Sequence, residues 1–176
     1  MKWILVLMCS LFSFSAQASY EVIPLNYGFN EVDLDGDGKK ETVIKTWREN
    51  FNAHRYSSYL FIGEELVETG KGKTRQPNII TYISPEQHLH RDMMRSSRNA
   101  DCITMDYVLV KGRRGIELVR VWIPFGSKKA QFHYFKLKRN EEGIPGDPHR
   151  YWAAYKNKTS LYEHCDVHKA LKHEGL

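Results

Sequence analysis

Apolar and polar residues alternate with period two along most of the chain. The runs "TVIKTW", "YSSYLFIG", "NIITYI", "ITMDYVLVKG", "IELVRVWIPFG" and "AQFHYFKLKR" are rich in β-branched and aromatic residues. Such side chains suit a pleated, half-buried surface, so each run predicts a strand. "KGRRG" between "ITMDYVLV" and "IELVRVWI" predicts a hairpin, and "HRYWAAY" after the proline and glycine loop "NEEGIPGDP" predicts a last strand. Two places break the rhythm. Ser84, Pro85 and Gln87 form an N-terminal capping pattern that predicts a short helix to about Arg95. Ser160 and Glu163 predict a second helix that runs to about His173 before Gly175. The expected fold is mainly β (α+β): an antiparallel sheet or sandwich with short flanking helices, the C-terminal one tied by a disulfide. No internal repeat or low-complexity segment interrupts it.

The first residues, "MKWILVLMCSLFSFSAQA", follow another logic. One positive charge, a short apolar run and Ala16-Gln17-Ala18 fit a Sec signal peptide cleaved after Ala18. Cys9 offers a lipoprotein alternative, against which stands the bulky Met8 before it. The expected product, residues 19–176, is a single domain bound for the periplasm or the exterior, with no membrane span. Removing Lys2 leaves 25 basic residues (26 minus one) against 21 acidic ones, a mild net +4. The basic clusters "KGKTR" and "KGRRG" are punctuated by glycine between apolar runs. They read as solvated hairpin tips, so no nucleic-acid partner is expected. Cys102 and Cys165, the two cysteines outside the leader, should pair in an oxidising compartment; two buried free thiols are the alternative.

The stretch "DLDGDGKKETVI" holds the most distinctive chemistry. An EF-hand needs a bidentate acid at loop position 12, which here is Ile44, so that reading fails. Asp33, Asp35, Asp37 and Glu41 fall at positions 1, 3, 5 and 9. Lys39 at position 7 can offer its backbone carbonyl, and Gly38 permits the sharp turn. The pattern resembles the calcium loops of integrin-type FG-GAP and VCBS repeats, although one copy excludes their propeller. Oxygen-only ligands favour calcium, with magnesium second, over zinc. The alternative is a cation-free Asp-Gly turn partly neutralised by Lys39 and Lys40. In either case the expected role is structural.

Catalytic motifs are sparse. "HLHRD" places His88, His90 and Asp92 in the HxHxD pattern of metallo-β-lactamase-type zinc hydrolases. The helix expected there would turn the two histidines to opposite sides and forbid joint ligation. His164 and His168 stand one turn apart on the expected last helix, a spacing that can grip a metal, but Cys165 stands where a zincin needs glutamate, so the pair reads as helix-surface histidines beside a disulfide. The SxxK and GxSxG nucleophile patterns are absent from the mature chain. In "IKTWRENFNAHRY" one parity, Thr46, Arg48, Asn50, Asn52 and His54, is wholly polar. Arg48, Asn50, Asn52 and His54 are therefore the candidate face for a small anionic ligand, Arg48 being suited to a carboxylate by its planar fork. The alternative is a solvated face ending in an asparagine turn.

Taken together, "VDLDGDGKKETVIKTWRENFNAHRY", "ADCITMDYVLV", "LKRNEEGIPGDP" and "YEHCDVHKAL" resemble, in that order, the CarG family of carbapenem self-resistance proteins. The resemblance implies an exported, non-catalytic protein that protects against a carbapenem or other β-lactam by binding the drug or shielding its targets. It also implies pairing of Cys102 with Cys165. The family pattern often carries asparagine where this chain has His168, and the region from Gly70 to Arg98, which contains "HLHRD", varies. Two other readings remain: a zinc-dependent hydrolase using His88, His90 and Asp92, and a calcium-stabilised module that binds a cell-envelope protein. Neither reading specifies an oligomeric state.

Overall fold

The computed structural model describes residues 20–52, 54–112 and 115–176. The leader, its cleavage point after Ala18 and Cys9 lie outside them. Among these residues twelve strands form, the predicted runs falling on β3, β4, β5, β9, β10, β11 and β12: β1 (Glu21–Ile23), β2 (Gly28–Val32), β3 (Glu41–Arg48), β4 (Tyr56–Thr69), β5 (Gly72–Ile83), β6 (His90–Arg91), β7 (Met93–Arg95), β8 (Ser97–Asn99), β9 (Cys102–Gly112), β10 (Gly115–Trp122), β11 (Lys129–Arg139) and β12 (Arg150–Glu163). The one helix among the described residues, α1 (Val167–His173), follows β12.

The strands make one curled mixed sheet in the order β1-β9-β10-β11-β12-β5-β4-β3-β2, with β6 on β5, β7 on β4 and β8 on β9. Two antiparallel halves meet at a single parallel ladder, where Tyr151 and Trp152 of β12 face Thr81 and Tyr82 of β5. The predicted hairpin joins β9 to β10 with Gly112 opposite Gly115.

Period two sorts the side chains into two cores. Leu118 of β10 faces inward with Tyr107, Leu109, Phe135 and Trp152, against Val43, Tyr59, Phe61 and Ile80 of the other half. Val119 and Val121 face outward and are covered by Val167, Ala170 and Leu171 of α1. Burying each such aliphatic side chain is worth about 1.5–3 kcal/mol. Two-sided burial explains why "ELVRVW" reads as a nearly continuous apolar run.

Both predicted helices need correction. Residues 84–95 form one turn and then β6 and β7. The turn closes through the His88 N–H donating to the Ser84 carbonyl at 2.8 Å. It then reverses at His88, whose φ is +54°. The Ser84 hydroxyl donates to Glu86 and so caps nothing. Residues 90–95 are captured by ladders to β5 and β4, which compete successfully with a helix of that length. At the other end, residues 160–163 belong to β12, and the Ser160 hydroxyl accepts the Ala130 N–H. The true N-cap is Asp166, whose carboxylate accepts from the His168 and Lys169 N–H groups. The helix therefore starts later than predicted and stops at the predicted place.

Cys102, which opens β9, is bonded to Cys165, one residue before the cap. Closing this loop of sequence separation 63 stabilises the fold by roughly 4 kcal/mol on the chain-entropy model.

Candidate functional site

In the acidic loop, carboxylate oxygens of Asp33, Asp35 and Asp37 lie within 4.8 Å of one another. The tight bend results from Gly36 and Gly38 at φ +78° and +85°, and their N–H groups donate to Asp33 at 2.8 and 3.0 Å. The Lys39 N–H holds the Asp37 carboxyl below its ordinary range. Glu41 stands apart from the three: it is buried, accepts the Leu34 N–H at 2.9 Å and pairs with Arg150 at 2.6 Å. Asp35 reaches Arg139 at 2.7 Å and Arg150 at 3.5 Å.

The HxHxD residues do not gather. His88 is exposed on its turn, whereas His90 lies on β6 with Nδ1 2.9 Å from Thr81 Oγ1 and its ring edge-on to Tyr151. His164 precedes α1 instead of sharing it with His168, and its ring packs against His173 at 5.0 Å. Among the described residues, only the three aspartates bring three ligating side chains together.

The candidate ligand face is divided by the end of β3. Arg48 is the last strand residue and donates to the Tyr56 hydroxyl at 3.0 Å. Asn50, Asn52 and His54 lie in the following loop and close it on itself: Asn50 donates to the His54 carbonyl, and Asn52 accepts the His54 N–H. The His54 ring meets the Arg98 carbonyl at 3.2 Å. Alternation has no meaning beyond a strand end, so the polar parity was not one face.

Beside this loop lies a cleft of about 320 Å³. Asp106 of β9 is its hub. One oxygen accepts the Tyr59 hydroxyl at 2.6 Å and the other meets His168 Nε2 at 2.8 Å. That bond raises the His168 pKa above its ordinary value, against the opposing pull of burial. Burial, reinforced by the Asp106 charge, pushes the Tyr59 hydroxyl far up and keeps it a proton donor. Lys45 Nζ sits over the Tyr27 and Tyr59 rings at 5.0 and 5.6 Å and donates to the Leu25 carbonyl at 3.2 Å. Arg55 and Arg98 add two more cations, and Tyr27, Trp47 and Tyr56 line the cleft with aromatic surface.

Local structure positions this set. The β3–β4 register places Lys45 opposite Tyr59. His168 is in the first turn of α1, which is fastened to the start of β9 by the disulfide and by Asp166, whose carboxylate also accepts the Ile103 N–H at 3.0 Å. Four cationic side chains and one carboxylate line the cleft beside aromatic walls, a chemistry that suits a small anion with an apolar body. Lys45 and Asp106 were absent from the sequence-based candidates. Their signal was present: Lys45 follows Val43 and Ile44, and Asp106 stands between Met105 and Tyr107, each a charge set among apolar residues of a predicted strand.

No protein-family model and no curated protein matches the chain. Among solved structures, the crystal structure of CarG superposes with a TM-score of 0.69 at 19% identity, over 86% of this chain and 94% of that one. At this identity the likeness is one of fold.

Proposed function

We propose that this chain is an exported, non-catalytic protein that protects against carbapenem or related β-lactam antibiotics by taking up the drug in the cleft above Asp106. The observation that carries this reading is the convergence of Lys45, Arg55, Arg98 and His168 beside Tyr27, Trp47 and Tyr56. A carbapenem is a small bicycle with one carboxylate, which suits cations set against aromatic rings. The CarG-like fold supports the same reading. Arg48, Asn50, Asn52 and His54 then serve as the rim, because their loop leads into Arg55 and His54 holds the Arg98 carbonyl.

Titrating the mature protein with a carbapenem, while following drug absorbance and tryptophan fluorescence, tests this. Trp47 is 54% exposed at the cleft and provides the signal. A saturable fluorescence change with intact drug is expected, weakened about tenfold in Lys45→Met, the equivalent of about 1.4 kcal/mol. Drug loss restored by zinc would replace this reading with the hydrolase that uses His88, His90 and Asp92. Neither signal would leave a module for an envelope protein partner.

The proposal extends to the acidic loop as a structural calcium site, magnesium second, made by Asp33, Asp35 and Asp37 with the Lys39 carbonyl. The convergence of the three carboxylates supports it. Glu41, engaged by Arg150, remains outside this set, and the ion competes with Arg139 for Asp35. Calcium is expected to raise Tm and chelator to lower it again, with both effects absent in Asp33→Asn. At one hundred times Kd the gain is about 2.7 kcal/mol. A Tm indifferent to calcium would remove the ion from the account.

A further inference from the structure

The cleft leaves unused a second cavity of about 470 Å³ on the other side of β9, where Met105 and Tyr107 point away from Asp106. It is lined by residues of β9, β10 and the segment from Tyr82 to Arg95. Its floor is Arg120 of β10, whose side chain is only 5% exposed and packs over the Trp122 ring at 5.4 Å. An arginine so deep in a sheet needs a carboxylate. The one present is Glu86, which meets Arg120 with both oxygens, Nη1 to Oε2 at 3.0 Å.

Glu86 belongs to no strand. It lies on the turn after Ser84, 43% exposed, and reaches in from outside the sheet. Two backbone bonds hold the turn, Ser84 N–H to the Leu89 carbonyl at 3.0 Å and His88 N–H to the Ser84 carbonyl at 2.8 Å. The backbone at His88, φ +54°, is a conformation that costs a non-glycine residue energy. Arg120 Nε is buried without a hydrogen-bond partner. Arg91, which donates to Gln87, and Arg95, which packs over the Tyr56 ring at 5.5 Å, add two guanidiniums at the rim, and Glu86 is the one carboxylate in the lining. Tyr82, Met93, Met105 and Trp122 form apolar walls.

We propose that this cavity is a second ligand site, specific for small monocarboxylates with an aromatic or aliphatic body, and that Glu86 occupies the carboxylate subsite as a built-in competitor. A ligand carboxylate replaces Glu86 on Arg120, the turn swings outward, and Arg91 and Arg95 steer the anion in. The apolar body then lies along Trp122 and Met105. Nothing here depends on the cleft above Asp106.

Phenylacetate, with phenylacetamide as its neutral twin, tests the site by NMR shifts of the Arg120 Nε–Hε signal and by Trp122 indole shifts. Phenylacetate should move both signals and phenylacetamide neither. Affinity should rise at least about tenfold in Glu86→Gln, which removes the competing charge, and fall several-fold in Arg91→Gln/Arg95→Gln. Lys45→Met, a change in the other cleft, should leave it unchanged. Equal affinity in the wild type and Glu86→Gln, equal binding of the amide, or shifts confined to the Lys45 cleft would each overturn the proposal. Should Glu86→Gln fail to fold, the exposed arginine variant decides alone, and unchanged affinity there overturns it.

Discussion

Asp106 carries a charge into a strand whose neighbours are mostly apolar, and both of its oxygens are used, one by Tyr59 and one by His168. The hydrogen bond and the Asp106 charge raise the His168 pKa above the ordinary value of 6.5, so folding favours the protonated ring. By linkage, the contribution of this pair to stability is fully present below about pH 6.5 and is lost as pH rises through the raised value. Followed through its ring protons, His168 should titrate above the ordinary midpoint, and in Asp106→Asn it should fall back to that midpoint or below. A wild-type midpoint already at the ordinary value would dissolve the pair. Anion uptake should weaken over the same rise in pH as the imidazolium is lost. The sequence made Asp106 and Lys45 visible as charges out of place. It could not show their partners, because His168 lies 62 positions from Asp106 and no local pattern encodes such a pairing.

Strands and helices were legible to different degrees, for one physical reason. A strand's period-two pattern records burial on a sheet and persists when neighbours change, whereas a capping pattern records only how a helix would begin. Ser84, Pro85 and Gln87 do initiate a turn, but ladders to β4 and β5 take the next residues. Ser160 is spent inside β12, and Asp166 does the capping six residues later. Seven residues are too few for a helix to persist alone in water, so α1 depends on its buried stripe and on Cys165. Substituting both Cys102 and Cys165 by alanine should cost up to about 4 kcal/mol in urea unfolding. Amide exchange should accelerate first at Val167 to Leu171, with β10 and β11 protected longer. Because His168 rides on this helix, the same variant should bind the cleft's ligand more weakly. Uniform acceleration across all elements would mean that α1 is not separately held.

The two antiparallel halves share only a short parallel ladder between β12 and β5, so their union needs further support. Arg150, at the start of β12, supplies it. Its side chain is 4% exposed and crosses to Glu41 of β3 at 2.6 Å and Glu65 of β4 at 2.8 Å, and it also donates to the Glu64 carbonyl at 3.3 Å. A few residues on, Trp152 fills the core between the halves, edge-on to Phe61 at 5.7 Å. The guanidinium lies so close to β4 that a Cβ added at Gly63 would fall 1.6 Å from Arg150 Nη2. Gly63→Ala therefore cannot be absorbed by a small shift. The arginine must leave, and Glu41 is then left without its cation in a place that excludes water, while Glu65 keeps only His149 at 2.8 Å. Breaking a buried pair from one side costs about 3–5 kcal/mol, and the same loss should follow Arg150→Met. The two effects should not add in the double variant, since both remove one clamp. Urea unfolding of the single and double variants measures this. Full additivity would show that Gly63 and Arg150 act separately, and that the halves are held together by the ladder and Trp152 alone.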